Sequence, residues 1–135
     1  MTDAAIQTLT QAVGRYFQLM YDGDVARFDQ VFRPTAQLHG IRDGALALLT
    51  AADYRARLAS RPSPRSVGAP REEEILMLDL VGADQALAKV RVRIDTVTFV
   101  DYLLWHRIDG SADDGWRVTA KSFHVEHLHP AQPAA

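Results

Sequence analysis

One change of apolar rhythm constrains this chain more than anything else. Early on, apolar residues recur every three or four positions; towards the end they alternate every two. Ile6, Leu9, Val13, Phe17 and Met20 mark one stripe of an amphipathic helix. Asp22-Gly23-Asp24 ends it, glycine supplying the terminating turn and Asp24 a cap for the next element. Val25, Phe28, Val31 and Phe32 predict a second, shorter helix, stopped because Arg33 precedes Pro34 and is pushed out of the helical region. Residues 35–41 read as a short strand and Arg42-Asp43-Gly44 as a turn. Thr50-Ala51-Ala52-Asp53 has the form of a capping box with Asp in place of Glu. It opens a third helix that runs to Ala59, with Tyr54 and Leu58 on one face.

After a Pro- and Ser-rich loop over 60–71 the period is two. Residues 74–81 predict a strand and Gly82-Ala83-Asp84 a turn. In 87–95, Val90, Val92 and Ile94 take one face and Arg91, Arg93 and Asp95 the other. A tight turn at Asp95-Thr96 leads to a long strand over 97–108, a polar hairpin over 109–115 and a last strand over 116–125. Helices followed by hairpin-connected strands mean α+β, with helices on one face of a mainly antiparallel sheet. The expected organisation is a single domain over 1–128 and a disordered tail over 129–135.

Composition removes several function classes. The 135 residues suffice for one core. With no cysteine, a disulfide scaffold, a thiolate metal site and a cysteine nucleophile are excluded. A net charge of −2 leaves no electrostatic footprint for nucleic acid or an anionic membrane. No apolar run approaches the roughly 20 residues of a membrane helix. Met1-Thr2-Asp3 begins no secretory signal, so a cytoplasmic location is expected. The glycines form no phosphate-cradling pattern, and no cofactor is expected. His124-x-x-His127-x-His129 suggests a metal, but on a strand His124 points away from the other two, so none is expected.

Three segments carry a resemblance: Gly14 to Asp24, Phe32 to Gly40, and the pair Phe99 to Leu104 with Trp116 to His124. With the order of elements, they resemble the nuclear transport factor 2-like superfamily over residues 5–127, and within it the proteins called putative lumazine-binding. The resemblance implies a cone: a strongly curved sheet wrapped around three helices, with an internal pocket. Superfamily members include ketosteroid isomerase, scytalone dehydratase, limonene epoxide hydrolase and binding domains without activity, so the fold does not fix function. Ketosteroid isomerase uses a phenol on the first helix, an Asp base at the end of the first strand and a protonated Asp on the long strand. Tyr16 matches the phenol, while the other two positions read as Gly40 and Leu104, which argues against that mechanism.

The resemblance also implies which strand faces look inward: Thr98, Val100, Tyr102, Leu104, His106 and Ile108 on one strand, and Trp116, Val118, Ala120, Ser122 and His124 on the next. The ligand-binding residues then expected are Tyr16, Met20, Tyr54, Leu58, Tyr102, Leu104, Ser122 and His124. His39, His106, His124 and Tyr16 are the candidate acid–base groups, since histidine transfers protons near neutral pH. Phe99, Leu103, Trp105 and Phe123 would lie outside, where homodimerisation would cover them, and Asp101 would pair there with Arg91, Arg93 or Lys121. Three functions stay open: binding of a small, mostly apolar or aromatic molecule; a cofactor-independent lyase (dehydratase) or isomerase using Tyr and His; and a dimeric interaction module with a vestigial pocket.

Overall fold

A computed structural model describes residues 3–109 and 113–131. In chain order the elements are α1 (Asp3–Asp22), a 3-10 turn (Val25–Gln30), β1 (Phe32–Arg42), β2 (Ala45–Thr50), α2 (Ala51–Ser60), β3 (Glu73–Val81), β4 (Gln85–Ile94), β5 (Val97–Arg107) and β6 (Trp116–Leu128). The architecture is α+β: three helical segments, one of them long, against one six-stranded sheet. The third helical segment follows the first two strands rather than preceding the sheet.

Local chemistry explains the boundaries. Gly23 takes φ +63° and returns its N–H to the Leu19 carbonyl at 2.9 Å, ending α1. Asp24 then accepts from the Ala26 N–H at 3.1 Å and caps the 3-10 turn. Thr50 and Asp53 exchange side chain-to-backbone bonds at 3.1 and 3.3 Å, so the capping box forms with Asp as it would with Glu. Strand β2 has no counterpart in the sequence reading. Asp43 and Gly44 both take positive φ, the backbone of a two-residue hairpin turn, and Arg42 comes to face Ala45.

The strand order is β2-β1-β6-β5-β4-β3, with β1 parallel to β6 and every other neighbour antiparallel. The register shifts within β3–β4, within β1–β6 and twice within β5–β6, and each extra residue bends its strand and curves the sheet. In its hollow α1 buries Leu9, Val13, Tyr16, Leu19 and Met20 among Phe28, Phe32, Val90, Trp105, Trp116 and Val118. Arg15 forks onto Asp114 at 2.8 and 2.9 Å, fastening α1 to the start of β6. The Arg65 N–H donates to the Tyr21 carbonyl at 3.0 Å, and Tyr21 donates to the Ala69 carbonyl, so the Pro-rich segment docks on the end of α1.

Of the tail expected to be disordered, His129 is held: its N–H donates to Thr96 O at 2.7 Å, and its Nε2 lies 2.7 Å from the Thr98 hydroxyl. Residues 132–135 lie outside the described residues, as do 110–112 of the expected polar hairpin. No described helix is long and apolar enough to cross a membrane.

Candidate functional site

Register decides which residues reach the interior. Strand β4 buries Ala86, Ala88, Val90, Val92 and Ile94. The two-residue turn at Asp95-Thr96 sets Ile94 opposite Val97, Val92 opposite Phe99 and Val90 opposite Asp101. Directly opposed residues share a face. The inner face of β5 is therefore Phe99, Asp101, Leu103 and Trp105, and the expected assignment of Tyr102, Leu104 and His106 to the interior is reversed. On β6, Trp116 and Val118 point inward as expected. Thr119 is then an extra residue between the pairs Trp105–Val118 and Leu104–Ala120. That bulge shifts the alternation by one, so Lys121 and Phe123 go in while Ser122 and His124 go out.

The expected site residues thus divide into two groups. Tyr16, Met20, Tyr54 and Leu58 are buried in the interior. His39, Ser122 and Tyr102 face one another in register across β1, β6 and β5, on the outer face of the sheet. His106 Nδ1 lies 2.6 Å from the Thr119 hydroxyl, also outside, and His124 is exposed opposite Val100. The outer apolar patch is corrected in the same way. Leu103 and Trp105 are fully buried and Phe123 is 8% exposed within one chain, so a dimer cannot be what covers them.

In place of the histidines the interior holds a polar cluster around Asp101, which has no exposed surface. The Tyr16 hydroxyl donates to Asp101 Oδ2 at 2.6 Å, and Lys121 Nζ stands 3.8 Å from the same oxygen. Asp101 Oδ1 is buried without a hydrogen-bond partner. Lys121 also donates to the Tyr54 hydroxyl at 3.3 Å and lies 4.7 and 5.2 Å from the ring centres of Tyr54 and Tyr16, so two π faces share its charge. Tyr54 in turn donates to Met20 Sδ at 3.1 Å. Burial is the main force raising the Tyr16 pKa well above the ordinary 10; the Asp101 charge adds to it and Arg61 opposes it. Tyr16 is therefore held as a neutral donor.

Asp101 does form an ion pair, with Lys121 and inside the sheet. Arg91 pairs instead with Glu74 and Glu126, and Arg93 with Glu72. The acid that meets the first-helix phenol is Asp101, not Leu104. Gly40 leaves no room for a base: a Cβ there would lie 2.2 Å from Phe123 Cε2. A sequence signal for Asp101 exists. The clean alternation of β4, carried through a two-residue turn, places it opposite an inward valine.

Beside Lys121 a recess of about 40 Å³ opens between α2, the end of β1 and β6, with Tyr54, Phe99 and Phe123 in its wall. Arg42, Arg57 and Arg61 stand around it. At 10–15 Å³ per water, that volume holds about three waters.

Comparison with known proteins gives a family and a shared fold. The family described as "Putative lumazine-binding" matches residues 4–124. Among solved structures, a nuclear transport factor 2-like protein of unknown function from Silicibacter pomeroyi is similar at 23% identity, covering 93% of this chain and 100% of its own, with a TM-score of 0.75. A second of unknown function, from Shewanella baltica, is 20% identical over 97% of this chain and 99% of its own, with a TM-score of 0.77. A ketosteroid isomerase-like protein from Erwinia carotovora is 12% identical over 93% and 98%, with a TM-score of 0.68. No curated protein matches. The match over residues 4–124 places this chain in the putative lumazine-binding family, and the solved structures show that it has the nuclear transport factor 2-like fold.

Proposed function

We propose that this chain binds a small molecule inside the cone, in the recess beside Lys121. One observation carries the reading: an apolar wall of Leu38, Leu49, Ile94, Phe99 and Phe123 converges with two polar groups, Tyr54 and Lys121, that are already held in place. Mostly apolar walls with a few fixed polar groups are what ligand pockets share. The family's description names lumazine, a flat heteroaromatic bicycle, and a flat ring suits the Phe99 and Phe123 faces. At about 40 Å³ the recess must widen to admit a ring, and the long side chains of Arg42, Arg57 and Arg61 are the parts able to move aside. Native mass spectrometry of the purified protein, followed by an NMR titration with lumazine, tests this. Retained mass, or shifts concentrated at Tyr54, Lys121 and Phe123, is the expected result. An empty protein whose recess resonances do not respond overturns it.

A second reading is a lyase or isomerase. It is favoured by the buried phenol–carboxylate contact of 2.6 Å, so its acid–base groups would be Tyr16 and Asp101 rather than histidines. Solvent deuterium incorporated into a bound ketone by the wild type and not by Tyr16→Phe would support it. A homodimer through the outer sheet face remains part of the proposal, with Ile41, Leu46, Leu48 and Tyr102, all exposed, as its apolar contacts.

A further inference from the structure

We propose that the mouth of the recess is an anion site, and that its ligand is a small organic oxyanion: a carboxylate or phosphate joined to an apolar ring. This rests on the binding reading above and names the ligand's chemical class.

The charges make the first argument. Arg42, Arg57, Arg61 and Lys121 line the recess and no carboxylate does. Lys121 is matched by Asp101, which leaves three guanidinium groups in surplus. Of the ten arginines elsewhere, Arg15, Arg27, Arg71, Arg91, Arg93 and Arg117 each pair with Asp or Glu. Arg33, Arg55, Arg65 and Arg107 stand apart from the recess without such a pair among the described residues; the recess is where three unpaired guanidinium groups line one cavity. Among the described residues no carboxylate forms an ion pair with Arg42, Arg57 or Arg61. The chain has 17 acidic residues against 15 basic ones, so the surplus does not come from a shortage of acids.

Arg61 makes the second. Its Nη2 is buried and has no hydrogen-bond partner, a donor that has lost water and gained nothing in exchange. Its charge also reaches the buried Tyr16 phenol, as the weakest of the influences on it and the one that favours the phenolate. Arg57 and Arg61 are four residues apart on α2 and its C-cap, a spacing at which like charges repel. The helix dipole favours a cation in the last turn, but it does not explain Arg42 approaching from β1. One oxyanion among the three would turn the repulsion into forked, charge-assisted hydrogen bonds.

The wall makes the third. Gly40 has no side chain, so the Phe123 ring can lie against its backbone. Arg42 sits 5.7 Å above that ring, and Phe99 meets its edge at 6.5 Å. A ligand ring stacked here presents a substituent to the guanidinium groups.

An NMR titration at low salt tests the proposal with benzoate, phenyl phosphate, neutral benzamide and inorganic phosphate as probes. At least one aromatic anion is expected to bind about tenfold tighter than benzamide, and the better anion tells carboxylate from phosphate. Arg57→Gln and Arg61→Gln should each weaken that anion about fivefold or more and leave benzamide unchanged. Thermal unfolding confirms that both variants fold. Equal binding of benzamide and the anions overturns the anion site while the small-molecule reading stands. So do anion affinities that the arginine variants leave unchanged. Inorganic phosphate binding as tightly as phenyl phosphate overturns the apolar half. Failure of all three aromatic probes overturns the proposal, and the binding reading falls with it only if native mass spectrometry also finds the protein empty.

Discussion

Replacing Lys121 with methionine removes an ammonium 3.8 Å from Asp101 Oδ2 and leaves the carboxylate buried with only the Tyr16 hydroxyl. At 3.8 Å and an effective dielectric of about 20, the lost attraction is about 4 kcal/mol. The desolvation of Asp101 remains. Breaking a buried pair on one side costs about 3–5 kcal/mol, so Lys121→Met should lose that much. Asp101→Leu should lose a similar amount, because Lys121 then keeps only the Tyr54 hydroxyl and two ring faces. The double variant removes both charges and leaves one new orphan, the buried Tyr16 hydroxyl, which costs about 1–3 kcal/mol. It should therefore be more stable than either single variant, with a coupling energy of about 3 kcal/mol or more. Urea unfolding at constant m-value measures the cycle. Thermal midpoints of the single variants should fall by about 10–20 °C for a domain of this size. Single variants losing less than about 1 kcal/mol, or a double variant equal to their sum, would refute a mutually compensating buried pair.

Other outcomes follow from the same geometry. The raised pKa of Tyr16 means that the folded chain keeps a proton the unfolded chain releases near pH 10, so the stability that Tyr16 contributes should be flat below about pH 10 and fall above it. Absorbance of ionised tyrosine should show the Tyr16 phenol titrating only with unfolding, and Tyr16→Phe should flatten the fall. Gly40→Ala places a Cβ 2.2–2.5 Å from three Phe123 ring atoms and should cost about 1–3 kcal/mol by overpacking, measured by calorimetry. His124→Ala removes an exposed outer-face side chain and should change stability by under about 0.5 kcal/mol and ligand affinity not at all. If the outer face joins two copies, Leu48→Glu should shift a dimer to monomer in light scattering, whereas a monomeric wild type ends the dimer proposal.

The helices and the α+β class were legible because their signals are local. The stripe from Ile6 to Met20, the Gly23 terminator and the Thr50–Asp53 capping box depend on neighbours within four residues, and each formed as read. Strand β2 was legible in principle from Asp43-Gly44, whose positive φ values suit a hairpin. Which side of a strand becomes interior is another matter. Period two divides a strand into two faces without saying which is buried, and one inserted residue exchanges them. On β5 the face follows from its partner: Asp101 lies inside because Val90 opposite it does. On β6 the exchange happens at Thr119, a residue with nothing in its own type to mark a bulge, and it sends Lys121 and Phe123 inward and His124 outward. The sequence by itself determined the helical segments, five of the six strands and their order. The tertiary structure alone decided that Lys121 joins Asp101 and the two tyrosines inside while the histidines stay out, because the Thr119 bulge sets the face of β6 and no local signal encodes it.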